Sequence, residues 1–197
     1  MLAAGKISTV LKFADKKMNV KLIDKLKSWD GVYIEYVTKL YDENAVNAHF
    51  FEDLVAISNN EQDLQKVTTW LIKHHYDNGN TLPNSLTEKL LSTCLTIENW
   101  EAKLHILQIF HHFKLTKTSI PVLEHFLQNC LTDKNKFVKA WAYNGLYELT
   151  KYIPELKNEL KFICERAMGT ESASMRTKRL QFRASFAFPF TRQARLF

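Results

Sequence analysis

The chain has 197 residues, 46% of them hydrophobic and 12% aromatic, which is typical of one globular domain with a sizeable core and excludes a disordered chain. Five Gly and four Pro are too few for an all-β protein with many turns, and no apolar run is long enough to span a membrane. The formal net charge of +6 comes from residues 166–197, since residues 1–165 hold 20 Lys and 20 acidic residues. Because the first 27 residues are also rich in Lys, the body of the chain, residues 28–165, is mildly acidic.

The first predicted element is an amphipathic helix over residues 6–28. Apolar residues recur there at steps of three and four, as one face of a helix requires, and Lys residues fill the other face. We interpret it as a helix that packs on the rest of the fold and caps its end. The alternative is a surface helix for anionic lipid or an acidic partner, although Asp15 and Asp24 interrupt the basic face. The apolar face consists of Ile7, Leu11, Ala14, Met18, Leu22, Leu26 and Trp29.

The following helices are predicted in four consecutive pairs. A proline stands near the start of the second helix in three pairs, at Pro83, Pro121 and Pro154, where the missing N–H is tolerated. Asn60 or Asp63 is expected to cap the helix that begins near residue 61. The predicted pairs are 31–43 with 46–58, 61–76 with 84–96, 99–115 with 119–131, and 135–152 with 154–168. They form one domain, 1–181, with repeats at about 31–58, 61–96, 99–131 and 135–168, followed by a tail at 182–197.

A weak internal repeat of about 36–37 residues connects these pairs. A shift of 37 places Lys66 on Lys103, and a shift of 36 places Lys103 on Lys139. A period in this range is typical of helix pairs stacked into a solenoid, in which each unit contacts only its neighbours. The sequence therefore predicts an all-α fold, an α-α superhelix of about four antiparallel helix pairs with terminal capping helices.

The unit that starts at Thr132 carries a short motif at Asp133, Val138-Lys139, Ala142 and Gly145-Leu146. With these residues it resembles a HEAT or armadillo-like repeat. Such repeats carry an Asp in the turn, then Val-Arg or Val-Lys, then small residues and a Gly-Leu-like pair on the first helix. The resemblance implies a right-handed superhelix of helix pairs with scaffold-like activity, and it implies no catalytic residues.

Gly145 is expected at a close contact between helices. Val138, Ala142, Gly145 and Leu149 follow steps of four, three and four, so they share one helical face. A Gly inside a helix costs about 1 kcal/mol relative to Ala, and a closely approaching neighbour is a packing reason for it. We expect burial between repeats for Trp141, Ala142, Gly145 and Leu146.

A row of cations is the first candidate binding feature. Lys66, Lys103 and Lys139 occupy equivalent repeat positions, and Arg176 follows 37 residues later. Stacked repeats would align these side chains along the solenoid, where spaced cations can track phosphates. In the other interpretation each cation pairs with a carboxylate, for example Asp63 or Asp133, and holds the repeats in register.

The second candidate is a set of polar and imidazole side chains. Glu101, His105, Gln108 and His112 step by four, three and four, which predicts one polar stripe on a helix. Glu101 and His105 lie one turn apart, as metal ligands on a helix do, but a third ligand would have to come from a neighbour. The stripe is therefore interpreted as a solvated face or a groove lining, with a metal site as the alternative. No HExxH motif and no Gly-rich phosphate loop occurs.

Cysteines and the C-terminal tail complete the candidates. Cys94, Cys130 and Cys164 recur at repeat-like spacings and are expected to be unbridged and buried, as in a reducing cytoplasm. The tail 182–197 holds five Phe and three Arg, a combination that can stack on single-stranded nucleic acid. An irregular cap on the last helices, or a segment unrelated in origin to the repeats, is the alternative.

These observations predict a non-enzymatic binding scaffold that uses the solenoid groove for a protein or peptide partner. The groove candidates are the four cations, Glu101, His105 and His112, and no cofactor is expected. Nucleic-acid binding is the alternative function, and a HEAT-like DNA glycosylase acting on alkylated bases is a further one. We expect a cytoplasmic location.

Overall fold

The structure is a computed structural model that describes residues 20–47, 49–158 and 160. Helices and short 3-10 turns account for all the regular structure in these ranges. The 3-10 turns are Gln62–Leu64, Cys94–Thr96 and Phe110–His112. The α-helices are α1 (Val20–Lys27), α2 (Ile34–Asn44), α3 (Phe50–Asn60), α4 (Gln65–Asp77), α5 (Asn84–Thr93), α6 (Trp100–Ile109), α7 (Ser119–Leu131) and α8 (Lys136–Leu149).

The helices form two layers. The first layer contains α2, α4, α6 and α8 side by side, and the second contains α3, α5 and α7. The layers are joined chiefly where α3 packs on α4 and α7 packs on α8. This alternation of first-layer and second-layer helices confirms the predicted all-α solenoid of helix pairs.

Several helix starts differ from the prediction. The helix predicted from residue 31 begins at Ile34, because the Asp30 carboxylate accepts hydrogen bonds from the backbone N–H groups of Val32 and Tyr33 and holds a turn there. Capping by Asn60 or Asp63 was wrong, since a 3-10 turn precedes α4 and no side chain caps it. Side-chain caps do occur elsewhere: Asn99 caps α6 and Asn135 caps α8.

Gly145 lies at a close approach between the layers. A Cβ atom at this position would overlap Cδ2 of Leu127, which is fully buried on α7. Ala142 and Leu146 are buried as expected, whereas Trp141 is only partly buried against the core. Because α7 and α8 meet at a glycine, they approach more closely than a larger side chain would allow.

The core is continuous from α1 to the start of the helix at 156–158. Leu22 and Leu26 of α1 are buried in it, as expected for the end of the predicted helix 6–28, and Trp29 packs on it. Cys94 and Cys130 are also buried and carry free thiols. The predictions for residues 6–19, for Cys164 and most of the helix 154–168, for Arg176 and for the tail 182–197 lie outside the described residues.

Candidate functional site

The starts of the four first-layer helices lie along one edge of the structure. Lys66, in the first turn of α4, contacts Glu101 in the first turn of α6 and the carbonyl of Gly31 just before α2. Lys103 of α6 contacts Asp133 just before α8. We call the surface formed by residues 30–35, 61–66, 98–103 and 133–139 the helix-start edge.

Lys66 connects three elements. Its Nζ lies 3.0 Å from Glu101 Oε1 and donates to the Gly31 carbonyl at 3.1 Å. The same ammonium lies 5.4 Å from the centre of the Trp29 ring, within the range of a cation–π contact. Lys66 therefore pairs with the carboxylate of Glu101, 35 residues later on the next first-layer helix, and not with that of Asp63.

Lys103 and Asp133 form a largely enclosed ion pair. Lys103 Nζ lies 2.8 Å from Asp133 Oδ2, and the side chains are only 20% and 10% exposed. Burial by itself raises the pKa of Asp133, but the hydrogen bond from Lys103 and that from the Asn135 N–H outweigh it and leave the pKa below its ordinary value. The pair therefore ties α6 to the turn that starts α8.

Lys139 differs from the first two cations of the row. It is partly buried and makes no ion pair with the described residues, although its charge helps to lower the pKa of Asp133. Of the row predicted from the repeat, the structure places Lys66 and Lys103 in cross-repeat ion pairs and leaves Lys139 beside the second pair.

The side chain of Gln65 connects the loop before α6 to the start of α4 through hydrogen bonds. The side chain is buried, and its Oε1 accepts hydrogen bonds from the N–H groups of Glu98, at 2.9 Å, and Asn99, at 3.1 Å. Its amide nitrogen donates to the carbonyl of Thr96 at 2.9 Å. This buried glutamine holds residues 96–99 on the helix-start edge, and no motif or repeat position in the sequence points to it.

The imidazole of His105 contacts α4 and is only partly exposed to solvent. Its Nδ1 lies 3.0 Å from Thr69 Oγ1. Since that hydroxyl donates to the Gln65 carbonyl at 2.7 Å, its oxygen accepts a hydrogen bond from the Nδ1–H of the imidazole. Burial, followed by repulsion from Lys73 and Lys66, lowers the pKa of His105 to about 4. The ring is therefore neutral at pH 7 and tied across one repeat.

Three residues of the predicted polar stripe contact α4. The α-helix ends at Ile109, and Phe110–His112 continue it as a 3-10 turn. Glu101 contacts Lys66, His105 contacts Thr69, and His112 stacks on Tyr76 with ring centroids 5.3 Å apart. Glu101, His105 and His112 therefore share the side that packs on α4.

The paired histidines of α4 make aromatic and hydrogen-bonding contacts. His74 stacks on Trp70 at 4.8 Å, and His75 Nδ1 lies 2.9 Å from the Tyr41 hydroxyl of α2. Burial is the main cause that lowers the pKa of both imidazoles. In the described part of the chain, no three His, Cys, Asp or Glu side chains are arranged to hold a metal ion.

Large apolar side chains are exposed along the helix-start edge. The core stripe of α6 includes Ala102, Ile106 and Ile109, so Trp100, two residues earlier, points away from it. Phe137 likewise precedes the buried Val138. These two positions could have been found in the sequence as apolar residues outside the core stripe and within two residues of a cap. The exposed fractions are 76% for Val32, 67% for Tyr33, 54% for Ile34, 41% for Trp100 and 52% for Phe137.

The repeats are matched by one family of known proteins. A family model described as a HEAT repeat domain matches residues 29–184, which is most of the chain. The chain belongs to the HEAT repeat family. Comparison with curated proteins and with solved structures gives no match.

The stacking of HEAT repeats explains the side-chain contacts between neighbouring first-layer helices. Each tie joins side chains about one repeat apart, as in Lys66 with Glu101, Thr69 with His105 and Tyr76 with His112. HEAT repeats are in general protein-interaction scaffolds. None of the helices in the described ranges is long and apolar enough to cross a bilayer.

Proposed function

We propose that this HEAT repeat chain is a non-enzymatic scaffold that binds a protein or peptide partner at the helix-start edge. The observation that carries the proposal is the row of exposed apolar side chains from Val32 to Phe137 on one edge. Clustered exposed apolar groups are typical of interaction sites, and large aromatic side chains are common among the residues that contribute most to binding.

The hydrogen bonds and ion pairs between neighbouring helix starts support binding at this edge without a large rearrangement. Lys66, Lys103 and Gln65 connect the starts of neighbouring helices through hydrogen bonds and ion pairs. A surface held in one arrangement loses little conformational entropy when a partner docks. The charged residues of the edge act here as structural ties rather than as catalytic groups.

Nucleic-acid binding has less support from this edge. Phosphate contacts depend on cations that can exchange counterions for phosphate oxygens. Glu101 and Asp133 already neutralise Lys66 and Lys103, so the row offers a weaker positive field than the sequence alone suggested. The free thiols of Cys94 and Cys130 support the proposed cytoplasmic location, since thiols stay reduced there.

Site-specific photo-crosslinking tests the proposal. A photoreactive residue at Trp100 should capture a partner in cells that express the chain, whereas the same residue at Leu95 is the matched control. Both positions are similarly exposed, at 41% and 45%, but Leu95 lies in the 3-10 turn after α5, in the second layer. The captured protein is then purified and its affinity for the full chain is measured.

The expected result is specific capture at Trp100 and saturable binding of the purified partner, weakened by Trp100→Ser and Phe137→Ser. Equal capture at both positions, or binding that neither substitution weakens, would count against the helix-start edge. A captured partner that binds only RNA-loaded chain would instead favour the nucleic-acid function.

A further inference from the structure

Unpaired carboxylates surround the exposed apolar part of the helix-start edge. Glu35, Asp63 and Glu98 are all exposed, and none of them forms an ion pair with the described residues. Asp30 adds a fourth carboxylate, whose pKa is lowered by hydrogen bonds from the N–H groups of Tyr33 and Val32. The carboxylates come from the starts of α2, α4 and α6, and the apolar side chains come from the starts of α2 and α6.

The contacts of Lys66 and Gln65 make this surface continuous. Lys66 binds both the Gly31 carbonyl and the Glu101 carboxylate. Val32 follows Gly31 and Trp100 precedes Glu101, so the two apolar residues lie on either side of Lys66. Gln65 holds the N–H of Glu98 on the start of α4, close to Asp63 in the preceding turn. The patch therefore consists of Val32, Tyr33, Ile34 and Trp100, with Asp30, Glu35, Asp63 and Glu98 around it.

Nearby cations do not neutralise these carboxylates. Lys66 and Lys103 are paired with Glu101 and Asp133. Lys27, at the end of α1, is exposed and is the nearest free cation along the chain before α2. Lys134, Lys136 and Lys139 lie at the start of α8, outside the patch, so the starts of α2, α4 and α6 keep a net negative charge.

We propose that this patch docks a segment of a partner protein that presents apolar anchor residues flanked by Lys or Arg. The inference rests on the proposed function and specifies the partner's chemistry. Apolar anchors fill an exposed hydrophobic surface, and the carboxylates attract a basic flank and select against acidic segments. Neither an acidic peptide nor a polyanion matches this arrangement.

Three synthetic peptides of equal length test the charge and apolar requirements separately. One contains Leu and Lys, the second Leu and Glu, and the third Ser and Lys, each with a fluorescent label. Binding to the full chain is measured by fluorescence anisotropy at about 50 and about 300 mM salt. The Leu/Lys peptide should bind at least roughly tenfold more tightly than the other two, and its affinity should fall at the higher salt concentration.

Substitutions on the surface locate the binding. Val32→Ser with Ile34→Ser should weaken the Leu/Lys peptide roughly tenfold, and Asp63→Asn with Glu98→Gln should weaken it severalfold and reduce the salt dependence. Val46→Ser and Asp42→Asn are the matched controls. They remove an exposed apolar residue and an exposed carboxylate near the other end of α2, and they should leave the affinity unchanged. Melting temperatures should agree among all variants, because every replaced side chain is exposed.

The outcomes separate this inference from the proposed function. Equal binding of the Leu/Glu peptide, or equal affinity in all variants, overturns the inference. So does a chain dimer that Val32→Ser with Ile34→Ser dissociates, since a second copy would then be the occupant. If photo-crosslinking at Trp100 captures a partner whose docking segment is acidic, the proposed function stands and the basic partner class does not.

Discussion

Gly145 shows how a single residue sets the spacing between the two layers. A Cβ atom on Gly145 would overlap Leu127 Cδ2, so any side chain there must displace the end of that leucine, and the surrounding core is buried. We expect Gly145→Leu to lower the free energy of unfolding by about 1–3 kcal/mol, because overpacking forces side chains out of their preferred rotamers. Chemical denaturation monitored by circular dichroism measures the change.

Asn144→Leu is the control for this substitution. Asn144 precedes Gly145 on α8 and is only partly buried, so a larger side chain there has room. If Gly145→Leu is as stable as the control, the close approach of α7 and α8 is not needed for stability.

His105 predicts a pH dependence at the residue scale. Its pKa in the folded chain is about 4, below the value of about 6.5 for an exposed imidazole. Between these values the unfolded chain binds more protons, so the free energy of unfolding falls as the pH is lowered through this window. Lys66 and Lys73 repel the charged ring, whereas Asp77 partly offsets them.

The experiment compares urea unfolding at pH 7 and at pH 5. His105→Gln should lose less stability than the parent between the two pH values, because glutamine does not titrate. His125→Gln, which replaces an exposed imidazole on α7, is the matched control. An identical loss in all three proteins would show that His105 does not contribute to it.

At the scale of elements, the Lys103–Asp133 pair ties α6 to the start of α8. The pair is largely enclosed, so removing one partner leaves the other charge poorly solvated. A double-mutant cycle with Lys103→Met and Asp133→Asn should give a coupling energy of about 1–3 kcal/mol. The pair of Lys25 and Glu43, with side chains 52% and 50% exposed, is the control, and its coupling should stay below about 1 kcal/mol.

A double variant of Lys103 and Lys139 distinguishes a structural role for these lysines from a role in binding phosphate. Replacing Lys103 and Lys139 together should lower the melting temperature, because the tie to Asp133 is lost. If the double variant melts like the parent and instead loses a salt-sensitive complex with RNA or DNA, the two lysines are phosphate contacts.

At the scale of the whole molecule, two thiols report on the opening of the layered core. Cys94 and Cys130 are fully buried, and burial raises the pKa of both thiols, that of Cys130 to about 12. Because the thiolate is the reactive form, both should react slowly with a thiol reagent in native buffer and rapidly in denaturant. Mass spectrometry of the labelled peptides gives the rate at each position, and rapid native labelling of both would contradict a closed core.

The sequence by itself determined the helices, their pairing and the family. α7, for example, was predicted at residues 119–131 and occupies Ser119–Leu131. Helical periodicity, turn residues and a repeat of about 36 residues are local or nearly local signals, so they survive in one sequence. The need for a small residue at position 145 was likewise visible, because a glycine inside a helix has a known cost.

Only the tertiary structure decided which side chains meet across repeats. Several carboxylates lay within reach of Lys66 in the sequence, and the packing of α4 on α6 selected Glu101 rather than Asp63. The packing of α4 on α6 likewise selected the contacts of His105 with Thr69 and of His112 with Tyr76. The exposed edge of Val32, Tyr33, Ile34, Trp100 and Phe137 joins residues from three separate repeats. Such a surface depends on how neighbouring helices align, and no local pattern specifies that alignment.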